Sequence, residues 1–137
     1  DNSETAYQTA KEVLKKYPEV KGILGTSSFD APGTARAIDE LGLKGSVFTA
    51  GTGMPAANAQ ILKDGSVSAL TLWDPANAGY AMASLATKIL RGDTIEDGVN
   101  LGVEGYENMH FSPGSTKVLE GNGWLKITQD NVDSLGF

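Results

Sequence analysis

Apolar positions along the first two-thirds of the chain alternate between helical spacing and short clustered runs. Ala6, Ala10, Val13 and Leu14 recur at helical spacing. They predict a helix from Ser3, which is placed to cap it, to about Lys16. Tyr17-Pro18 stops it, because the residue before a proline is pushed out of the helical region. Val20 to Leu24 reads as a buried strand. Asp30 is placed to cap a second helix, Ala31 to Leu41, which Gly42 ends. Val47 to Ala50 is the next strand. Pro55 opens a helix to about Lys63, and Asp64-Gly65 turns the chain back into a strand over Val67 to Leu72. A fourth helix, Pro75 to Arg91, carries Ala78, Met82, Leu85, Ala86 and Ile89 at helical spacing, with Gly92 behind it.

The spacing of the strands at Val20, Val47 and Val67 suits consecutive βαβ units, so the sheet should be parallel with right-handed crossovers. Residues 93–137 change character and are rich in Gly, Asn and Asp. Val99 to Val103, Asn108 to Ser112, Val118 and Trp124 to Ile127 read as short extended segments. Thr128 to Phe137 has room for one short helical turn.

Composition narrows the function classes. The chain has 137 residues, 40% hydrophobic and 20% charged, with a net charge of −6. That is a globular composition, and its sign argues against nucleic acid and acidic membrane surfaces as partners. No apolar run approaches a membrane span. With no cysteine and one histidine, disulfides, thiol chemistry and a transition-metal site are excluded or disfavoured, and no cofactor is called for. The opening Asp1-Asn2-Ser3 looks like a mature or truncated start inside a fold.

Three predicted strand ends carry polar groups: Thr26-Ser27-Ser28-Phe29-Asp30, Gly51-Thr52-Gly53, and Trp73-Asp74. In open α/β sheets, ligands sit beyond the carboxyl ends of the strands. A large flat ring beside a carboxylate suits a sugar: the ring covers a C–H face and the carboxylate accepts from hydroxyls. Plainer roles stand beside this reading. Asp30 and Asp74 also fit helix caps, Gly51 and Gly53 fit turns, and Trp73 fits the core. His110 reads as structural, and Trp124, after the turn Gly121-Asn122-Gly123, reads as packed under the tail. Glu104/Glu107 and Asp93/Glu96/Asp97 read as solvated surface charges. Gly51-Thr52-Gly53 lacks the remainder of a phosphate-binding loop.

Three segments carry a family resemblance: Gly25 through Ala37, Thr49 through Pro55, and Leu72-Trp73-Asp74-Pro75 with Gly79-Tyr80 behind. In their order and spacing the chain resembles the periplasmic solute-binding proteins of sugar ABC transporters, of the ribose-binding type. Within them it is most similar to the rhamnose and autoinducer-2 binding group. The resemblance implies an α/β fold, a parallel-sheet three-layer lobe of a type I periplasmic binding protein, with one helix and strands belonging to the partner lobe. It implies a carboxyl-terminal portion of a receptor about twice this length. Residues 1–72 would be a second-lobe segment, and residues 73–137 a hinge crossing, a first-lobe helix and a return segment. Trp73, Asp74, Thr26, Ser27, Ser28 and Thr52 would contact the ligand. Where autoinducer-2 receptors typically have Pro-Asp-Ala, this chain has Thr26-Ser27-Ser28; where ribose receptors usually have Asn and Asp, it has Ser27 and Thr52. A deoxysugar such as rhamnose, with a methyl face for Trp73, is the implied ligand.

The implied function is the solute-binding component of an ABC importer, binding a small sugar between two lobes without chemical conversion. Its partners would be the sugar, the transporter permease and the missing amino-terminal lobe, as a separate fragment or through self-association. Its location would be periplasmic, or extracellular on a lipoprotein anchor. The effector-binding domain of a sugar-responsive repressor is the alternative of the same fold. An enzyme would need more convergent titratable groups than Asp30 and Asp74.

Overall fold

A computed structural model describes residues 2–137, and they form two compact units. The first comprises residues through Leu72 together with Lys126–Phe137, and the second is Trp73–Leu125.

In the first unit, helix α1 (Ser3–Lys16) is followed by β1 (Gly22–Leu24), α2 (Asp30–Glu40), β2 (Phe48–Thr52), α3 (Pro55–Lys63) and β3 (Ala69–Trp73). β1 pairs with β2 and β2 with β3, both in parallel. The sheet order is β1-β2-β3-β6, where β6 is Trp124–Ile127. The parallel α/β arrangement read from the strand spacing is therefore present. The core is made by Leu62, Val67, Leu70 and Ile127, each at most 2% exposed, with Leu14, Ile38 and Val47 packed as a second cluster.

Several local expectations need correction. Asn2, not Ser3, caps α1: its side-chain oxygen accepts from Thr5 N at 2.8 Å. The buried face of α1 is Tyr7, Ala10 and Leu14, rotated from the predicted one because Tyr7 reaches α2. There the Arg36 guanidinium lies 3.9 Å from the Tyr7 ring centroid, and the Tyr7 hydroxyl bonds Glu40. α2 comes so close that a Cβ on Gly33 would sit 2.5 Å from the Ser3 carbonyl oxygen. The predicted buried strand Val20–Leu24 is shorter and open. β1 lies at the sheet edge, and Leu24 is 82% exposed.

The tail completes this unit. Lys63 bonds Asp133 at 2.6 Å, and Ala56 N donates to the Phe137 carbonyl at 3.2 Å. The predicted turn in the tail is a single 3-10 turn, Val132–Ser134, with Val132 buried.

The second unit is built on α4 (Pro75–Leu90). Beyond it the backbone forms only short pairings, β4 (His110–Phe111) with β5 (Leu119–Glu120) in antiparallel. The predicted strand Val99–Val103 is not one. Val99 makes an isolated bridge to Met109, and Asn100 and Gly102 bend the chain through an Asn100 side-chain bond. Ala81, Leu101 and Met109 form the small core.

Candidate functional site

The predicted site residues fall in both units. In the first, Gly25 N donates to Ala50 O at 2.9 Å, which holds the end of β1 against β2. The following loop is organised by Asp30. Its carboxylate does not cap α2, whose N-cap Phe29 has no side-chain bond. It turns back and accepts from Thr26 N at 3.0 Å and Ser27 N at 2.9 Å. This corrects the capping expectation. It also means that these two amides already have an acceptor, so Thr26 presents its exposed side chain rather than its N–H. Ser27 Oγ accepts from Phe29 N at 3.2 Å, and Ser28 is exposed.

Thr52 ends β2 half-buried, opposite Thr71 on β3. Gly51 and Gly53 were expected as turn glycines, yet neither has positive φ. They are small because the chain is crowded there. A Cβ on Gly51 would lie 3.1 Å from Gly25 O, and one on Gly53 would lie 2.9 Å from the buried Asn58 amide. Thr26, Ser27, Ser28 and Thr52 thus stand at the carboxyl ends of two adjacent parallel strands.

A groove of about 330 Å³ runs between α1 and the open edge of β1 and reaches Gly25 and Asp30 at the end of that strand. Thr5, Thr9, Val13, Ile23 and Leu24 are among its lining. No sequence signal marked it, because an edge strand and a central one carry the same apolar pattern.

In the second unit, Asp74 is the N-cap of α4. Its Oδ1 accepts from Ala76 N at 2.7 Å and from Asn77 N at 3.1 Å. Oδ2 takes part in neither bond. Trp73, at the end of β3, is 43% exposed. The expectation that Trp124 packs under the tail is overturned. It is 58% exposed and meets Trp73 edge to face, with ring centroids 5.4 Å apart and planes at 84°. Quadrupolar rings favour that arrangement. All of α4 and the β4–β5 pair lie between the two residues in sequence, so no local pattern joins them.

His110 is exposed in β4. In its Nδ1-protonated tautomer it donates to Asp97 Oδ2 at 2.9 Å and accepts from the Asn108 amide at 2.8 Å. The other Asp97 oxygen accepts from Phe111 N. Bonding to His110 first, and then to Phe111 N, holds the Asp97 carboxyl below the usual carboxylate range. Asp97 is therefore a loop fastener rather than a purely solvated charge. Among the described residues no group of three or more histidine or carboxylate side chains could hold a metal ion, and no helix is long and apolar enough to cross a membrane.

A family model described as the periplasmic binding protein domain matches residues 1–94. Among solved structures, a sugar ABC transporter protein from Actinomyces odontolyticus is 28% identical with a TM-score of 0.80, over 100% of this chain and 44% of that one. LsrB from Clostridium saccharobutylicum, solved in complex with AI-2, is 21% identical with a TM-score of 0.70, covering 99% of this chain and 46% of that one. A solute-binding protein from Agrobacterium vitis, solved with D-fucose, is 22% identical with a TM-score of 0.66, covering 96% and 38%. The chain spans less than half the length of these proteins.

Proposed function

The chain belongs to the periplasmic binding protein domain family, and from that premise we propose that it is the sugar-contacting carboxyl-terminal portion of a two-lobe receptor serving an ABC importer. Residues 1–72 are a second-lobe segment, and residues 73–137 carry the hinge crossing, a first-lobe helix and the return. The ligand is a small sugar, with a 6-deoxyhexose of the rhamnose type first. It is bound between lobes and released unchanged to the transporter permease, in the periplasm or outside the cell. The ligand stabilises the closed state because only there does it contact both lobes.

One observation carries this reading. A half-exposed indole ends a parallel strand and is followed at once by a carboxylate that caps the next helix. The ring offers a flat apolar surface to a sugar's C–H or methyl face. Asp74 Oδ2, which neither capping bond uses, is the acceptor we assign to the sugar's hydroxyls. Thr26, Ser27, Ser28 and Thr52 supply hydroxyls from the second lobe.

The surfaces of both units support a larger receptor. From Pro75 to Thr87, α4 contains no charged residue, yet Tyr80, Met82, Ile89 and Leu90 are 57–87% exposed. Met82, Ile89 and Leu90 lie on one side of the helix and Tyr80 on the opposite side, and a helix exposing apolar groups on two sides normally packs against other elements. The open edge of β1 and its groove point the same way, since unpaired strand edges are ordinarily covered or blunted. The missing lobe and the remainder of the second lobe are the covering we propose.

The test is calorimetric titration of the two-lobe protein with L-rhamnose, D-fucose, D-ribose and D-galactose. The 6-deoxy sugars should bind tightest. Trp73→Ala should weaken the best binder by about a hundredfold or more, as loss of a main aromatic contact does, with its melting temperature nearly kept. Unchanged affinity in Trp73→Ala would remove Trp73 from the site.

A further inference from the structure

Trp124 has no role in the reading above, yet the fold takes trouble to place it. The preceding arm, Gly121-Asn122-Gly123, is pressed against the core of the second unit. A Cβ on Gly121 would lie 2.4 Å from Met109 Sδ, and one on Gly123 would lie 2.6 Å from Tyr106 Oη. Asn122 N donates to Gly105 O at 2.9 Å. Met109 is itself buried. The glycines are there because no side chain fits, and the arm therefore delivers its next residue to a fixed point. What it delivers is a large ring left 58% exposed, so core filling does not account for it. Its neighbour at that point is the Trp73 indole.

We propose that Trp124 is a positioning residue for the sugar site: its edge-to-face contact fixes the plane of the Trp73 indole before ligand arrives. This rests on the reading of Trp73 as the ring that stacks on the sugar. An indole at the exposed end of a strand otherwise samples several rotamers, and binding must then freeze one of them. A perpendicular neighbour makes that selection in the free protein and removes part of the cost from binding. The chemistry that benefits is a flat, rigid ligand face, namely the C–H and methyl face of a pyranose.

The contact needs an aromatic ring at position 124 and not merely bulk, which gives the experiment. In the two-lobe protein, Trp124→Phe, Trp124→Leu and Trp73→Ala are titrated calorimetrically with the tightest-binding sugar of the four named above, and each variant is melted. Trp124→Leu should weaken binding about five- to tenfold, and Trp124→Phe should recover most of it, to within about twofold of the parent. The Leu variant should melt only a few degrees below the Phe variant, since it loses one half-exposed ring contact and no core. Equal affinity in the Leu and Phe variants, or a Leu variant that binds like the parent, overturns the positioning role while Trp73 stands. A Trp73→Ala protein that binds like the parent overturns the stacking reading beneath it. If Trp124→Leu fails to fold while Trp124→Phe folds, the residue is structural and the proposal is overturned.

Discussion

The two units solve the same problem with different means. The first is held by a repeated pattern of parallel strand pairs, with helices whose buried faces recur at helical spacing. The second has one long helix and a chain folded back by local devices. Gly98, Gly102, Gly105 and Gly114 adopt positive φ, and Asp97, Asn100, Glu107 and Ser115 side chains accept backbone N–H groups. The first kind of order is paid in buried apolar area, the second in satisfied backbone groups. They should therefore break under different insults.

The largest effect should come from the sheet. Leu70 is fully buried in β3, so Leu70→Ala should cost about 2–5 kcal/mol, read from urea denaturation. Gly33→Ala comes next. Alanine is the better helix former by about 1 kcal/mol, but the new methyl would meet the backbone of α1 at 2.5 Å. Overpacking of that kind costs about 1–3 kcal/mol and should win, so the variant should be less stable than the parent.

Asp74→Ala should remove the α4 cap at about 1 kcal/mol, whereas Asp74→Asn, which can still accept through its amide oxygen, should cost only a few tenths. Asp74→Asn therefore separates capping from ligand contact. Weaker sugar binding at unchanged stability assigns the carboxylate to the ligand, and intact affinity leaves it a cap alone. Leu90→Ser should change the stability of this chain by less than about 0.5 kcal/mol, because the side chain is 87% exposed. In the two-lobe protein the same variant should be clearly destabilised, and an equal, small effect in both would refute the covering of α4.

Acid should touch the second unit through Asp97. Its carboxyl is held below its ordinary value by His110 and Phe111 N. A depressed folded value means that the contribution is present at neutral pH and is lost as pH falls through that folded value, below about pH 4. The β4 amide signals should then broaden in the parent, and Asp97→Asn should abolish that pH dependence.

The same contrast explains what was legible in the sequence. The limits of α1, α3 and α4 are legible nearly to the residue, because Pro55, Pro75 and the apolar spacing state them. Parallel pairing followed from the strand spacing. Val99–Val103 alternates apolar residues as a strand would, but Asn100 and Gly102 decide its path. Asp30 stands where a cap would; its carboxylate reaches back to Thr26 and Ser27 instead, across a bend at those two residues and beside Gly25, where a Cβ would lie 2.2 Å from Asp30 Cβ. The Trp73–Trp124 contact depends on the return of the chain after α4 and the β4–β5 pair, and no periodicity encodes that.

That return has a consequence for how the first unit comes apart. Ile127 and Val132 are buried in the first unit, and Phe137 and Asp133 bond α3, although residues 73–125 belong to the second. The sheet is sealed only where β6 lies beside β3. A cut anywhere within residues 73–125 therefore turns that seal into a separate peptide, whose departure uncovers the β3 edge.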